Sequence, residues 1–232
     1  MHGFFEPCHF MPLLHREDIS MDTVLDDREV RILGCLIEKE MTTPEYYPLT
    51  LNALTNACNQ KSNRSPVVSY DETTVEHGLA SLQKKGLSRS TMTAGSRVTK
   101  YLHTFLVRFD LSRQEMAILC EFLLRGPQTV GEIRSRAERM AGFENLEEVE
   151  RILHGLLAHG QSLITKLPRE AGRKESRYMH LLSGAPLTGD TVTGVTSDAE
   201  QDKIARLEEG LKQLREELEG LKKAFSEFRS QF

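Results

Sequence analysis

The chain has 232 residues, of which 39% are hydrophobic and 28% charged, with a formal net charge of −4. That length supports one large core or two small ones, and the charge excludes a protein coated in phosphate-binding cations while leaving room for a local basic face. No apolar run reaches the roughly 18 residues that a bilayer span needs, and the four scattered cysteines lack C-x-x-C spacing, so a reducing, cytoplasmic setting is expected.

Residues 1–21 carry no regular pattern and no basic segment followed by a sustained apolar one, so a disordered extension is expected there rather than a secretory signal. Its Cys8, His2, His9 and His15 are not expected to form a metal site. The first helix opens at "LDDREVRILGCLI", residues 25–37, with a capping box in Asp26-x-x-Glu29. Next comes the amide-rich stretch "NACNQKSNRSP", residues 56–66, which reads as an exposed loop. Its Asn56, Asn59, Gln60 and Asn63 suit hydrogen bonding to a protein backbone or to bases, and its Lys61 and Arg64 suit phosphates. A helix with Val75, Leu79 and Leu82 on one face follows and closes at Gly86. Its expected outer face shows Thr73, Thr74, His77, Ser81 and Gln83, with Lys84 and Lys85 at its end. Two strands, "GLSRSTM" and "RVTKYLHTF", flank a turn at Thr93–Ser96 and add Arg89, Arg97 and Lys100.

The chain then repeats itself. "LSRQEMAILCEFL" (111–123) lies over 25–37 at an offset of 86, again with a capping box, Ser112-x-x-Glu115. Val149, Glu150, Leu153, Leu156 and Gly160 match Val75, Glu76, Leu79, Leu82 and Gly86 at an offset of 74. "RYMH" (177–180) matches "KYLH" (100–103) at 77. Each copy reads as three helices followed by a two-stranded hairpin. That is the order of a winged helix, a helix-turn-helix variant whose third helix can enter a DNA groove. The fall in offset from 86 to 74 implies about 12 extra residues in the first copy, assigned to the loop before its third helix. In the second copy Lys166, Arg169, Arg173, Lys174 and Arg177 make a basic wing, and Arg134, Arg136 and Arg139 fall on its second helix. Glu144, Glu147, Glu148 and Glu150 open its third helix and would repel phosphates, so that helix is not expected to read DNA.

After a Gly/Thr-rich linker, Ile204, Leu207, Leu211, Leu214, Leu218, Leu221, Phe225 and Phe228 alternate by three and four residues. That is an a/d heptad seam, expected to pair two chains as a coiled coil. The expected fold is mainly α (α+β, winged helix), with tandem winged-helix domains at 22–110 and 111–182. A linker at 183–197 and a coiled-coil helix at 198–232 complete it.

"EKEMTTPEYYPLTLNALTNACNQKSNRSPV", "GSRVTKY", "LLRGPQTVGEIRSRAERM" and "GRKESRYMHL" together resemble the YceH-like family of bacterial proteins. The resemblance spans about residues 24 to 182 and implies a tandem winged-helix fold with no assigned activity. No hydrolase elbow, phosphate-cradling glycine loop or H-E-x-x-H occurs, so neither catalysis nor a cofactor is expected. His103 and His180, and Tyr101 and Tyr178, repeat at equivalent strand positions, which favours structural roles. The leading expectation is binding of double-stranded DNA through the first copy's third helix and both wings. The alternative is a protein–protein adaptor, as tandem winged helices are in chromosome-condensation complexes, using the 56–66 loop.

Overall fold

The computed structural model describes residues 24–92, 98–160, 162–169 and 175–184. The 1–21 extension, the linker at 183–197 past its first two residues, and the coiled-coil positions 204–228 lie outside the described residues, as do Arg97, Arg173 and Lys174.

The first copy begins with α1 (Asp27–Thr42), where Asp26 accepts from the Glu29 amide and Glu29 returns a bond to the Asp26 amide. This reciprocal pair satisfies two donors that a helix start leaves orphaned. A 3-10 turn (Pro44–Tyr46), a two-residue strand β1 (Leu49–Thr50) and α2 (Leu51–Cys58) follow. Next come α3 (Glu72–Lys84), β2 (Ser88–Thr91), β3 (Lys100–His103) and a single turn, α4 (Phe105–Arg108). The second copy has α5 (Arg113–Arg125), α6 (Val130–Ala137), α7 (Leu146–Leu157), β4 (Ile164–Lys166) and β5 (Tyr178–His180). Mixed helix with small antiparallel sheets is therefore the architecture, with three helices and a hairpin in each copy.

The sheets repeat as well. In the first, β3 lies between β1 and β2, with Leu49 opposite Tyr101 and Arg89 opposite Leu102. In the second, β4 pairs with β5, and β1 shrinks to one bridge in which Gln128 and Tyr178 exchange both backbone hydrogen bonds, at 3.0 and 2.8 Å. Thr50 and Thr129, each just after this contact, cap α2 and α6 with their hydroxyls. The repeat thus extends to a strand too short to leave a sequence pattern.

The twelve extra residues do not form one loop. Three lengthen α1 relative to α5, four fall between α1 and α2, and five between α2 and α3, as the helix bounds show.

One hydrophobic cluster runs through both copies. Ile32, Leu33, Leu36 and Ile37 of α1, Leu79 and Leu82 of α3, Ile118, Leu119 and Phe122 of α5, and Leu153 and Leu156 of α7 are all buried. Each such side chain contributes roughly 1.5–3 kcal/mol on burial. The join is α1 against α5. Gly34 permits it, since a Cβ there would stand 2.9 Å from Leu124 Cδ2 and 3.0 Å from Leu123 Cβ. The Cys120 thiol meets the Gly34 carbonyl at 3.4 Å. Gly34 and Cys120 are equivalent positions of the repeat, 86 apart. Equivalent positions touching each other is what a local two-fold relation produces.

Candidate nucleic-acid interface

Asp71 starts α3 by accepting from the Thr74 amide at 2.8 Å, and its apolar stripe turns inward on α1. Thr73, His77 and Lys84 stand exposed, while Thr74, Ser81 and Gln83 are half-buried at the margin. Glu72 and Glu76 are exposed too, so the face is acidic toward its start and basic toward its end. Asn52 of α2 donates to Glu72 at 3.1 Å, which fixes one of those acids. Lys85 turns away from the face. Its ammonium reaches Glu29 at 2.7 Å and the Val24 carbonyl at 2.8 Å, pinning the end of α3 to the start of α1.

The basic end of α3 runs into the β2–β3 hairpin. Pairing puts Arg89 opposite Leu102 and Thr91 opposite Lys100. By the alternation of strands, Arg89 and Lys100 then share the face away from the buried Ser88 and His103. In the second copy Lys166 lies 5.6 Å from the Tyr178 ring centre and Arg169 is exposed. Arg177 is half-buried, with an Nε that is buried and without a hydrogen bond. Among the described residues no carboxylate lies within ion-pair distance of Lys61, Lys84, Arg89, Lys100, Lys166 or Arg169. Cations without internal partners can take phosphates without first breaking a contact.

The 56–66 stretch corrects the sequence expectation. Arg64 does not face a phosphate; its guanidinium is fully buried. It grips Glu38 of α1 through two bonds of 3.1 and 2.5 Å, and it donates also to Ala57 O, Asn63 O and Gln60 Oε1. Asn59 is likewise internal, exchanging bonds of 2.7 Å with both the amide and carbonyl of Tyr70. Asn63 adopts a positive φ of 59° and accepts from Arg125 of α5. Of the four amides only Asn56 is exposed, and it donates to Asn52 on its own helix at 3.1 Å. Lys61 alone keeps the expected outward position of a charged contact. Asn59, Gln60, Asn63 and Arg64 fasten the α2–α3 connection, Asn63 through Arg125 of the second copy, so those positions are structural, whereas Asn56 stays on the surface of its own helix.

The fastening extends across the repeat. Arg139, which lies past the end of α6 rather than on it, bridges Glu38 at 2.6 Å and Glu121 of α5 at 2.9 Å. Arg125 Nε lies 3.0 Å from the second Glu121 oxygen, near enough to attract although not aligned as a hydrogen bond. Burial raises the Glu38 carboxyl, but Arg64 and Arg139 outweigh it and hold the group below the ordinary range. Glu121, with fewer aligned donors, is left raised by burial. Nothing in the sequence marked Glu38 or Glu121; a charged residue inside an apolar helical run was the available signal.

The paired histidines are internal. His103 lies with Nε2 2.6 Å from Glu40, and its amide donates to the Tyr47 hydroxyl at 2.8 Å. His180 is buried with Nδ1 unpartnered, and burial lowers its pKa to about 4. Tyr178 is buried and Tyr101 half-buried against the core. Among the described residues no group of three or more His, Cys, Asp or Glu side chains is placed to hold a metal ion.

Residues 25–173 match the family described as "Protein of unknown function, DUF480". A "UPF0502 protein" of Pelobacter propionicus is 51% identical over 221 residues, covering 91% of this chain and all of the relative. Another from Geotalea uraniireducens is 51% identical over 219 residues, with 91% of this chain and all of the relative covered. A third, from Geobacter metallireducens, is 49% identical over 219 residues with the same coverage. The matched region contains both copies of the repeat nearly to the end of the second, and the YceH-like resemblance fits it. The chain belongs to the DUF480, or UPF0502, family of bacterial proteins.

Proposed function

We propose that the chain is a tandem winged-helix protein that binds double-stranded DNA by its phosphate backbone, through the C-terminal end of α3 and the hairpins of both copies. The observation that carries the reading is the set of cations Lys84, Arg89 and Lys100 along one helix end and one hairpin face, none with an acid partner among the described residues, with Lys166 and Arg169 on the hairpin of the second copy. Support for the winged-helix assignment comes from the strand order β1-β3-β2 behind three helices, with β3 in the middle. Arg97, Arg173 and Lys174 belong to the same basic wings by sequence. The protein acts by binding rather than catalysis, in the cytoplasm, and the heptad seam from Ile204 to Phe228 pairs two chains so that two basic faces meet one duplex.

The test is charge reversal. Arg89→Glu with Lys100→Glu weakens binding of a random-sequence duplex by about tenfold or more at ~0.1 M salt and lowers the salt slope by about two, while far-UV circular dichroism stays unchanged. Undiminished binding by the folded variant would contradict the proposal. The adaptor reading retains one observation: Glu147 and Glu150 are exposed on α7, where phosphate would be repelled and a protein partner would not.

A further inference from the structure

The bases of the two hairpins meet at a partly open pocket of about 90 Å³. Its walls are apolar: Leu25 from before α1, Leu87 and Phe109 from the two ends of the first hairpin region, and Leu163 from just before β4. Two polar groups line it, Arg108 and Ser162. The Arg108 guanidinium is held 5.5 Å from the Phe109 ring centre, at the pocket wall. Among the described residues it has no carboxylate within ion-pair distance.

We infer that this pocket binds a short-chain aliphatic monocarboxylate, with the alkyl end against the leucines and Phe109 and the carboxylate at Arg108. Charge and size both select this class. A single cation beside an apolar wall pairs with one anionic group, and Arg offers a planar fork that matches a carboxylate. At about 90 Å³ the pocket is smaller than the cavity of about 150 Å³ known to take benzene, so it admits a branched chain of about three or four carbons with its carboxylate at the open side, and excludes a nucleotide or a long acyl chain. Ser162 supplies a hydroxyl able to donate to the second oxygen. The walls come from both copies, so a bound acid bridges Leu87 and Phe109 to Leu163. The site is separate from the basic hairpin face and does not depend on the nucleic-acid reading.

The experiment uses the full chain and isovalerate, with 3-methylbutan-1-ol as the uncharged probe, followed by saturation-transfer NMR and thermal unfolding. Isovalerate should bind with a Kd of about 1 mM and raise Tm as its concentration passes Kd. The alcohol should bind about tenfold more weakly or worse. Arg108→Gln should fold normally and reduce isovalerate binding to the level of the alcohol. Ser162→Trp, which fills the mouth with a large ring at an exposed position, should abolish binding of both. No isovalerate signal at about 10 mM, equal binding of acid and alcohol, or full binding by folded Arg108→Gln would each overturn the assignment.

Discussion

Arg64 carries five N–H donors, and the fold consumes all of them on Glu38, Ala57, Gln60 and Asn63. Removing a partner from a buried ion pair leaves the other charge stranded, which costs about 3–5 kcal/mol. Arg64→Ala should therefore lower unfolding free energy by that order in urea titrations, whereas Lys61→Ala, three residues away and exposed, should change it by about 0.5 kcal/mol or less. Equal, small losses would show that the network contributes nothing. His180 sets a pH dependence whose sign follows from its depressed pKa of about 4 against an ordinary 6.5. Between those values the unfolded chain holds a proton that the folded chain excludes, so stability is present near neutrality and falls as pH drops from 6.5 toward 4. His180→Gln, which cannot titrate, should lose on the order of 2 kcal/mol less than the parent between pH 7 and pH 4.5, read by urea unfolding. Identical losses would place the acid sensitivity elsewhere. Neither role was legible locally. Arg64 reads as a loop cation because its partner Glu38 is 26 residues away, and only the fold makes that distance short.

Two helix starts, by contrast, were legible to the residue, while Glu144, expected to open α7, lies before its cap Asn145. Asp26 with Glu29, and Ser112 with Glu115, cap α1 and α5 as the sequence predicts, because a capping box is complete within four residues. Apolar spacing likewise marks the inward stripes of α3 and α7. The two-residue β1 and the one-turn α4 were not legible, being shorter than any period they could display. The insertion was counted correctly but misplaced, since offsets record how many residues are added and not where each falls. Close packing between elements makes the next prediction. Gly34→Ala in α1 should destabilise by about 1–3 kcal/mol, because crowding against Leu123 and Leu124 exceeds the roughly 1 kcal/mol gained in helix propensity. Gly131→Ala in α6, with open space around its Cβ, should instead stabilise by up to about 1 kcal/mol. Thermal unfolding of both variants distinguishes the signs, and destabilisation by Gly131→Ala would undercut the packing argument.

Over the molecule as a whole, a chain of net charge −4 reaches DNA only if its cations are gathered on one side and its acids are engaged elsewhere. Glu29, Glu38 and Glu121 are engaged internally, by Lys85, Arg64, Arg125 and Arg139, while Lys84, Arg89, Lys100, Lys166 and Arg169 have no acid partner among the described residues. Those internal pairs take up four cations for three acids, so the surface is no less acidic than the net charge states, and binding rests on the local clustering of the remaining cations. The proposed pairing of two chains would double the available contacts, so Leu211→Asp with Leu218→Asp should yield a monomer where the parent sediments as a dimer, and weaken DNA binding together. The central claim is contact with phosphates, and its most direct test is the equilibrium affinity of the full chain for a random-sequence duplex between about 0.05 and 0.3 M salt. We predict micromolar binding at ~0.1 M salt, with log Kobs falling by about 3–5 per tenfold rise in salt, as three to five neutralised phosphates require. Absence of binding at ~0.05 M salt, or an affinity indifferent to salt, would contradict the account.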